Sequence, residues 1–204
     1  MSVHWLPFLG VAVLACVIPG PDFAVIMRTS VLRRRAGLAA MAGTQSGLCV
    51  HMLAATAGLS LILARSAIAL TAIQLAGAAY LIYLGIRILI NARRPGPDPA
   101  RTGIARPGAS YRQGMLTNLT NPKAILFFAS ILPQFVSHDA PLAPQILMLG
   151  VIDIAIGTLI LLAVISAASR LAQILSRPRA RQRWDRLTGS VMLGLGIFLA
   201  VSRT

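Results

Sequence analysis

Apolar positions fill this chain in long runs, and the charged positions collect in the gaps between them. A helix needs about 20 mostly apolar residues to cross a bilayer. On that measure six stretches emerge, at about 4–27, 36–64, 66–86, 113–137, 140–169 and 187–202. The second and third hold 29 and 21 residues without a charged side chain, bounded by Arg35, Arg65 and Arg87. The sixth is short, so it is expected to start a turn earlier, with Trp184 as an interfacial anchor. Residues 4–27 follow no basic segment and precede no small-residue cleavage site, so they read as a retained span. All six read as helices, because lipid leaves every backbone N–H and C=O to find a partner inside its own segment.

Two of these runs are interrupted. The first is broken at Pro19-Gly20-Pro21-Asp22, and the fourth at Asn121-Pro122-Lys123. Proline lacks an N–H and cannot continue a regular helix. Between the halves, residues 91–112 carry Pro95-Gly96-Pro97-Asp98-Pro99 and several arginines, and they read as an extended connector. Three spans lie on either side of it, so the halves have opposite orientation. In each half the leading helix is broken by proline and the next residue is charged. Such corresponding breaks are the sequence mark of a transporter site. The fold expected is an all-α integral membrane protein of six transmembrane helices. It forms one membrane domain over 1–204, with repeat one at about 1–90, a basic linker at about 91–112 and repeat two at about 113–204. The two three-helix repeats are inverted, with helices 1 and 4 broken.

Composition agrees. Hydrophobic residues make up 56% and charged ones 12%, against about 25% charged in a soluble domain. That excludes a disordered chain. Two cysteines, Cys16 and Cys49, both in apolar runs, exclude a disulfide scaffold and read as small buried hydrophobes. The net charge of +14 invites a nucleic-acid reading, but its distribution argues against one. From the first gap to the last the basic residues number 4, 1, 6, 0 and 6. That alternation is the positive-inside pattern, with basic loops cytoplasmic and both termini outside. The arginines need no partner beyond the anionic leaflet.

Ionisable groups at membrane depth are costly and face the interior of a bundle. Four stand out: Asp22, His51, Lys123 and Asp153. A half-helix starting at Pro21 exposes N–H groups and a dipole that attract a carboxylate. Asp22 then holds a substrate ammonium, carries a coupling proton, or merely caps this half-helix. Lys123 stands near a helix N-terminus, where the dipole disfavours a cation. It binds a substrate carboxylate, pairs with Asp22 or Asp153, or reaches for the interface. Asn121 is placed to cap the helix after Pro122. Asp153 relays protons or neutralises Lys123. His51 is either a neutral histidine bonded to a carbonyl or a proton carrier. Gly43 and Gly47 have the small-xxx-small spacing that lets helices approach, and Gly77, Gly85, Gly189, Gly194 and Gly196 read alike.

Other chemistry is excluded. The one lysine follows Pro122, so there is no phosphate-binding P-loop, and without Glu there is no His-Glu-x-x-His zinc site. No metal-ligand spacing and no cofactor motif is present, and none is expected.

Several stretches together resemble the LysE/RhtB superfamily of amino-acid exporters. They are Pro19-Gly20-Pro21-Asp22, Gly43-x-x-x-Gly47-x-x-x-His51, Gly77 to Gly85, the strongest, Tyr111 to Phe128 with Asn121-Pro122-Lys123 inside it, Leu132 to Phe135, and Gly189 to Leu199. The resemblance runs in order along essentially the whole chain. It implies proton-driven export of amino acids or close derivatives across a bacterial inner membrane. Export as the direction comes from the resemblance alone. The substrate is then a small zwitterion held by Pro19, Gly20, Pro21, Asp22, Asn118, Asn121, Pro122 and Lys123. Asp22, His51 and Asp153 are the proton-coupling candidates. No enzyme is expected. The competing readings are a non-transporting membrane subunit, a membrane-embedded enzyme, and a transporter of toxic cations. A homo-oligomer built on the glycine-rich third and sixth helices stays open.

Overall fold

The computed structural model describes residues 5–18, 20–65, 67–92, 106–137, 140–175 and 177–201. The regular structure of those residues is all helical, without a strand among them. Helix α1 (Trp5–Val17) is followed by α2 (Pro21–Leu32), α3 (Arg34–Arg65) and α4 (Ala67–Asn91). After the linker come α5 (Pro107–Leu119) and a short α6 (Pro122–Leu126). A π turn (Phe127–Ile131) and a 3-10 turn (Leu132–Phe135) continue from α6. Then α7 (Leu142–Ser166), α8 (Ala168–Leu175) and α9 (Pro178–Val201) complete the chain.

Among the described residues, four segments are long and apolar enough to cross a membrane: Arg34–Gly58, Thr71–Asn91, Leu142–Ser166 and Gln182–Val201. A fifth crossing arises if Leu6–Val17 and Pro21–Leu32, which meet at 53°, act as one broken span. The fourth expected stretch, 113–137, differs from a single span. Its helix starts earlier, at Pro107, and ends at Leu119, and the apolar remainder Pro122–Phe135 is too short to cross alone. The cause is local: Arg106 stands at the N-cap with Pro107 at N1, and Pro122 ends the run. Residues 107–112, read as connector, are therefore helical, while residues 93–105 lie outside the described residues.

Large apolar side chains point both inward and outward. Phe8, Leu81, Phe128, Leu132, Ile146, Leu149 and Leu199 are fully buried in one core. Leu53, Val151, Leu159 and Leu187 stand more than half exposed. So much exposed apolar surface belongs against lipid.

Glycines set the closest helix approaches. A Cβ on Gly43 would collide with the backbone of Tyr111, and one on Gly114 with the backbone of Ala40, so α3 and α5 touch backbone to backbone. Gly85, Gly189 and Gly196 do the same for α4 and α9. The glycine faces of the third and sixth spans thus pack on each other within one chain.

Candidate functional site

Both helix breaks are built alike. Gly20 is the N-cap of α2, extended at φ −118° and ψ −170°, with Pro21 in the first position. Asn121 is the N-cap of α6, again followed by a first-position proline, Pro122. Proline suits that position because the N–H it lacks would have no partner there. The Asn121 Oδ1 accepts from the Lys123 N–H at 3.0 Å, which is the cap expected from the sequence.

One carboxylate joins the two breaks. Asp22, in the first turn of α2, is 9% exposed. Its Oδ2 accepts from Asn118 Nδ2 at 2.9 Å and from Asn121 Nδ2 at 2.8 Å. Asn118 ends α5 and Asn121 starts α6, and both are 1% exposed. Asp22 therefore does not simply cap its own helix. It ties α2 to both sides of the other break through charge-assisted hydrogen bonds.

Lys123 answers from the other direction. Its side chain crosses to the end of α1, where Nζ donates to the carbonyls of Ala15 and Ile18 at 3.0 Å each. Carbonyls at a helix C-terminus lack intrahelical donors, and the dipole there favours a cation. The misfit of a lysine in the first turn of α6 is resolved by the neighbouring helix it caps. A direct ion pair with Asp22 or Asp153 is not what holds it. Gly20 lies beside this contact: a Cβ there would meet Lys123 Nζ at 3.5 Å, an ordinary van der Waals distance.

The remaining ionisable candidates surround this network. Asp153 on α7 is 4% exposed, and its Oδ1 lies 3.8 Å from the Cys16 thiol that points at it. Cys16 is thus more than an apolar filler. His51 Nε2 shares a hydrogen bond of 3.1 Å with the Asn118 carbonyl, and its ring lies over Phe128 at 6.4 Å. That is the carbonyl-bonded histidine anticipated as one alternative, and it braces the end of α5 from behind. Pro19 lies outside the described residues.

A cavity of about 70 Å³ opens among these groups. Asp22, Asn118, Lys123 and Asp153 line it. So do Cys16, read from the sequence as a small buried hydrophobe, and Phe23, Thr44, Gln45 and Gly157, which sequence reasoning did not single out. Thr44 and Gln45 sit between Gly43 and Gly47, in a run whose visible signal was helix packing. A Cβ on Gly47 would strike Asn118, so that spacing also admits the asparagine to the site. Gln45 Nε2 bonds Thr158 Oγ1 at 2.7 Å and fixes α3 to α7 beside the cavity. Among the described residues no cluster of His, Cys, Asp or Glu suits a metal ion.

Known proteins match the chain along nearly its whole length. The family described as LysE type translocator matches residues 13–203. A homoserine/homoserine lactone efflux protein of Salmonella typhi is 33% identical over 203 residues, covering 98% of this chain and 97% of its own. A threonine efflux protein of Escherichia coli strain K12 is 32% identical over 209 residues, covering all of both chains. An uncharacterized membrane protein of Vibrio cholerae is 32% identical over 205 residues, again end to end. No solved structure matches. The Salmonella and Escherichia relatives are named as efflux proteins. With its broken helices, its exposed apolar surface and a family match along almost its whole length, the chain belongs to the LysE type translocator family.

Proposed function

We propose that this protein is a secondary transporter that exports small amino acids or close derivatives across a bacterial inner membrane. The observation that carries the reading is the buried network at the two breaks, in which Asp22 binds Asn118 and Asn121 while Lys123 holds the end of α1. Broken helices that meet at a polar cavity are how secondary transporters place a site inside the bilayer. The substrate ammonium is drawn to Asp22. Its carboxylate lies toward Lys123 and the N-terminal end of α2. Gly20, Pro21 and Pro122, with Pro19, shape the breaks, and Asn118 and Asn121 hold Asp22 in place. The relatives named for homoserine and threonine make small hydroxylated amino acids the first candidates.

Six crossings arranged as inverted repeats support alternating access. Helices α1–α2 correspond to α5–α6 with its following turns, α3 to α7, and α4 to α9. The corresponding pairs α3 and α7, and α4 and α9, pack on each other, as expected about an axis in the membrane plane. Export is driven by protons, with Asp22, Asp153 and His51 as the groups that carry them. Basic loops lie in the cytoplasm and both termini outside.

The test is whole-cell efflux of a labelled amino-acid panel, loaded as dipeptides, with and without the expressed protein. Faster efflux of one or a few amino acids, abolished by a protonophore, is the expected result. No change across the panel, with the protein verified in the membrane, would contradict the reading. Efflux indifferent to the protonophore would remove the proton coupling.

A further inference from the structure

The cavity between the helix breaks is too small for its cargo as it stands. At about 70 Å³ it falls far below the roughly 300–1,000 Å³ of sites that hold small molecules, so a wall must move before an amino acid enters. Most of the walls are tied by hydrogen bonds. Asp22 fixes the start of α2 to Asn118 and Asn121, Lys123 fixes α6 to the end of α1, and Gln45 fixes α3 to Thr158 of α7. The far end of α2 is held as well. Arg33 leaves that helix in extended conformation, and a Cβ on Gly37 would collide with Ser30.

One wall rests on a ring contact instead. Phe23, the residue after Asp22, lines the cavity and is half-buried. Its ring lies against Trp184 near the start of α9, with ring centroids 5.9 Å apart and planes tilted by 37°. The other aromatic wall, Phe127, is 4% exposed and packs edge-on against Phe128 in the core. Trp184 is half-buried and stands between the exposed Arg183 and Arg186. The ring read from the sequence as an interfacial anchor therefore also backs the cavity wall. Helix α8 packs on both α2 and α9 beside it.

We infer that Phe23 is the gate of the cavity and that Trp184 is the positioning residue that holds it shut. The gate opens when α8 and the first turns of α9 draw back from α2 and take Trp184 off the Phe23 ring. That segment is set off by a turn at Ala167 and a bend at Arg177, so it shifts without unpacking α7 or the Gly85–Gly189 contact of α4 with α9. Asp22 keeps Asn118 and Asn121 throughout this opening. A single aromatic pair is a weak lock, which thermal motion can release. The mouth it uncovers lies at the arginine-bearing start of α9. This rests on the export reading and supplies the path by which the same cavity fills.

The test measures the rate at which N-ethylmaleimide labels the purified full-length protein in detergent. Cys16 and Cys49 are replaced by alanine, and Thr44→Cys puts one thiol on the cavity wall. Ser130→Cys, at a 0% exposed position off that wall, is the control. Adding Trp184→Ala is expected to speed labelling of Thr44→Cys about tenfold, as for one aromatic pair lost from the closed state. Trp184→Phe keeps a ring on Phe23 and is expected to leave the rate near the parent's. Ser130→Cys is expected to label slowly in every background. An unchanged rate at Thr44→Cys, with full labelling once the protein is denatured, overturns the inference. So does equal acceleration at Ser130→Cys, which is general loosening, or a Trp184→Phe rate as high as that of Trp184→Ala. The labelling needs no transport. A gate seen this way without efflux of any amino acid would contradict the export reading and leave the gate standing. Efflux by the parent with labelling indifferent to Trp184 would do the reverse.

Discussion

Asp22 and Asn118 set the energetic character of the site. A buried carboxylate is tolerable only when its lone pairs find donors, and Asp22 has the two asparagine amides on one oxygen. Replacing Asn118 with Leu removes one charge-assisted hydrogen bond and leaves a charge less well paired, at a cost of about 1.5–3 kcal/mol. The cost is expected to shrink when Asp22 is already Asn, because the charge is then gone. A double-mutant cycle by thermal unfolding in detergent measures this coupling. Equal costs in the two backgrounds would show that the pair does not interact. Much at this scale was legible beforehand. Asp22, Lys123 and Asp153 are charges in apolar runs, and such charges need a reason to be there. Thr44 and Gln45 were not legible, because an uncharged polar residue inside a helix costs little and is common. Only the packing of α3 against α2 brings them to the cavity that Asp22 lines.

The elements owe their closeness to glycine. Gly43 meets the Tyr111 backbone, while a Cβ on Gly10 or Gly194 would meet nothing within 4 Å. Gly43→Ala is therefore expected to push α3 from α5 and to cut the yield of monodisperse protein in detergent. Gly10→Ala and Gly194→Ala are expected to leave the yield unchanged. Size-exclusion profiles of fluorescent fusions decide this, and a Gly43→Ala profile like the parent's would remove the close approach from the account. Both proline breaks could be read directly, since a missing N–H ends a helix wherever it occurs. Helix ends were harder. Helix α9 begins at Pro178, well before the apolar run at 187, because arginine is a good helix former and a span can extend into water. Helix α8 hid in the same basic stretch for that reason: it is short, amphipathic and set off by a turn at Ala167.

The whole molecule places a polar centre inside an apolar shell. The charge pattern along the loops is what predicts an orientation for that shell, and helix geometry alone does not. Reporter fusions are expected to locate the linker near residue 100 in the cytoplasm and the C-terminus outside. A cytoplasmic C-terminus together with a cytoplasmic linker would rule out six crossings. Four apolar spans and a bent pair account for most of the expected crossings. The fourth was the least legible as a span, because its proline break divides it into two pieces that fall short separately. On straight helices Asp22, six residues before Arg28, and Lys123, eleven after Arg112, would stand far apart along the bundle. At the breaks they come together: Asn121 bonds Asp22 through its side chain and caps the turn that carries Lys123.

The central claim is that the cavity at Asp22 is where the substrate is carried. The most direct measurement is amino-acid efflux by Asp22→Asn beside the parent, at matched amounts in the membrane. Asn keeps the shape and an acceptor for the two asparagines but loses the charge that draws an ammonium. The account predicts that export falls at least about tenfold, as for one lost charged hydrogen bond, while the protein inserts and folds normally. Export at the parent's rate from a correctly folded Asp22→Asn protein would contradict it.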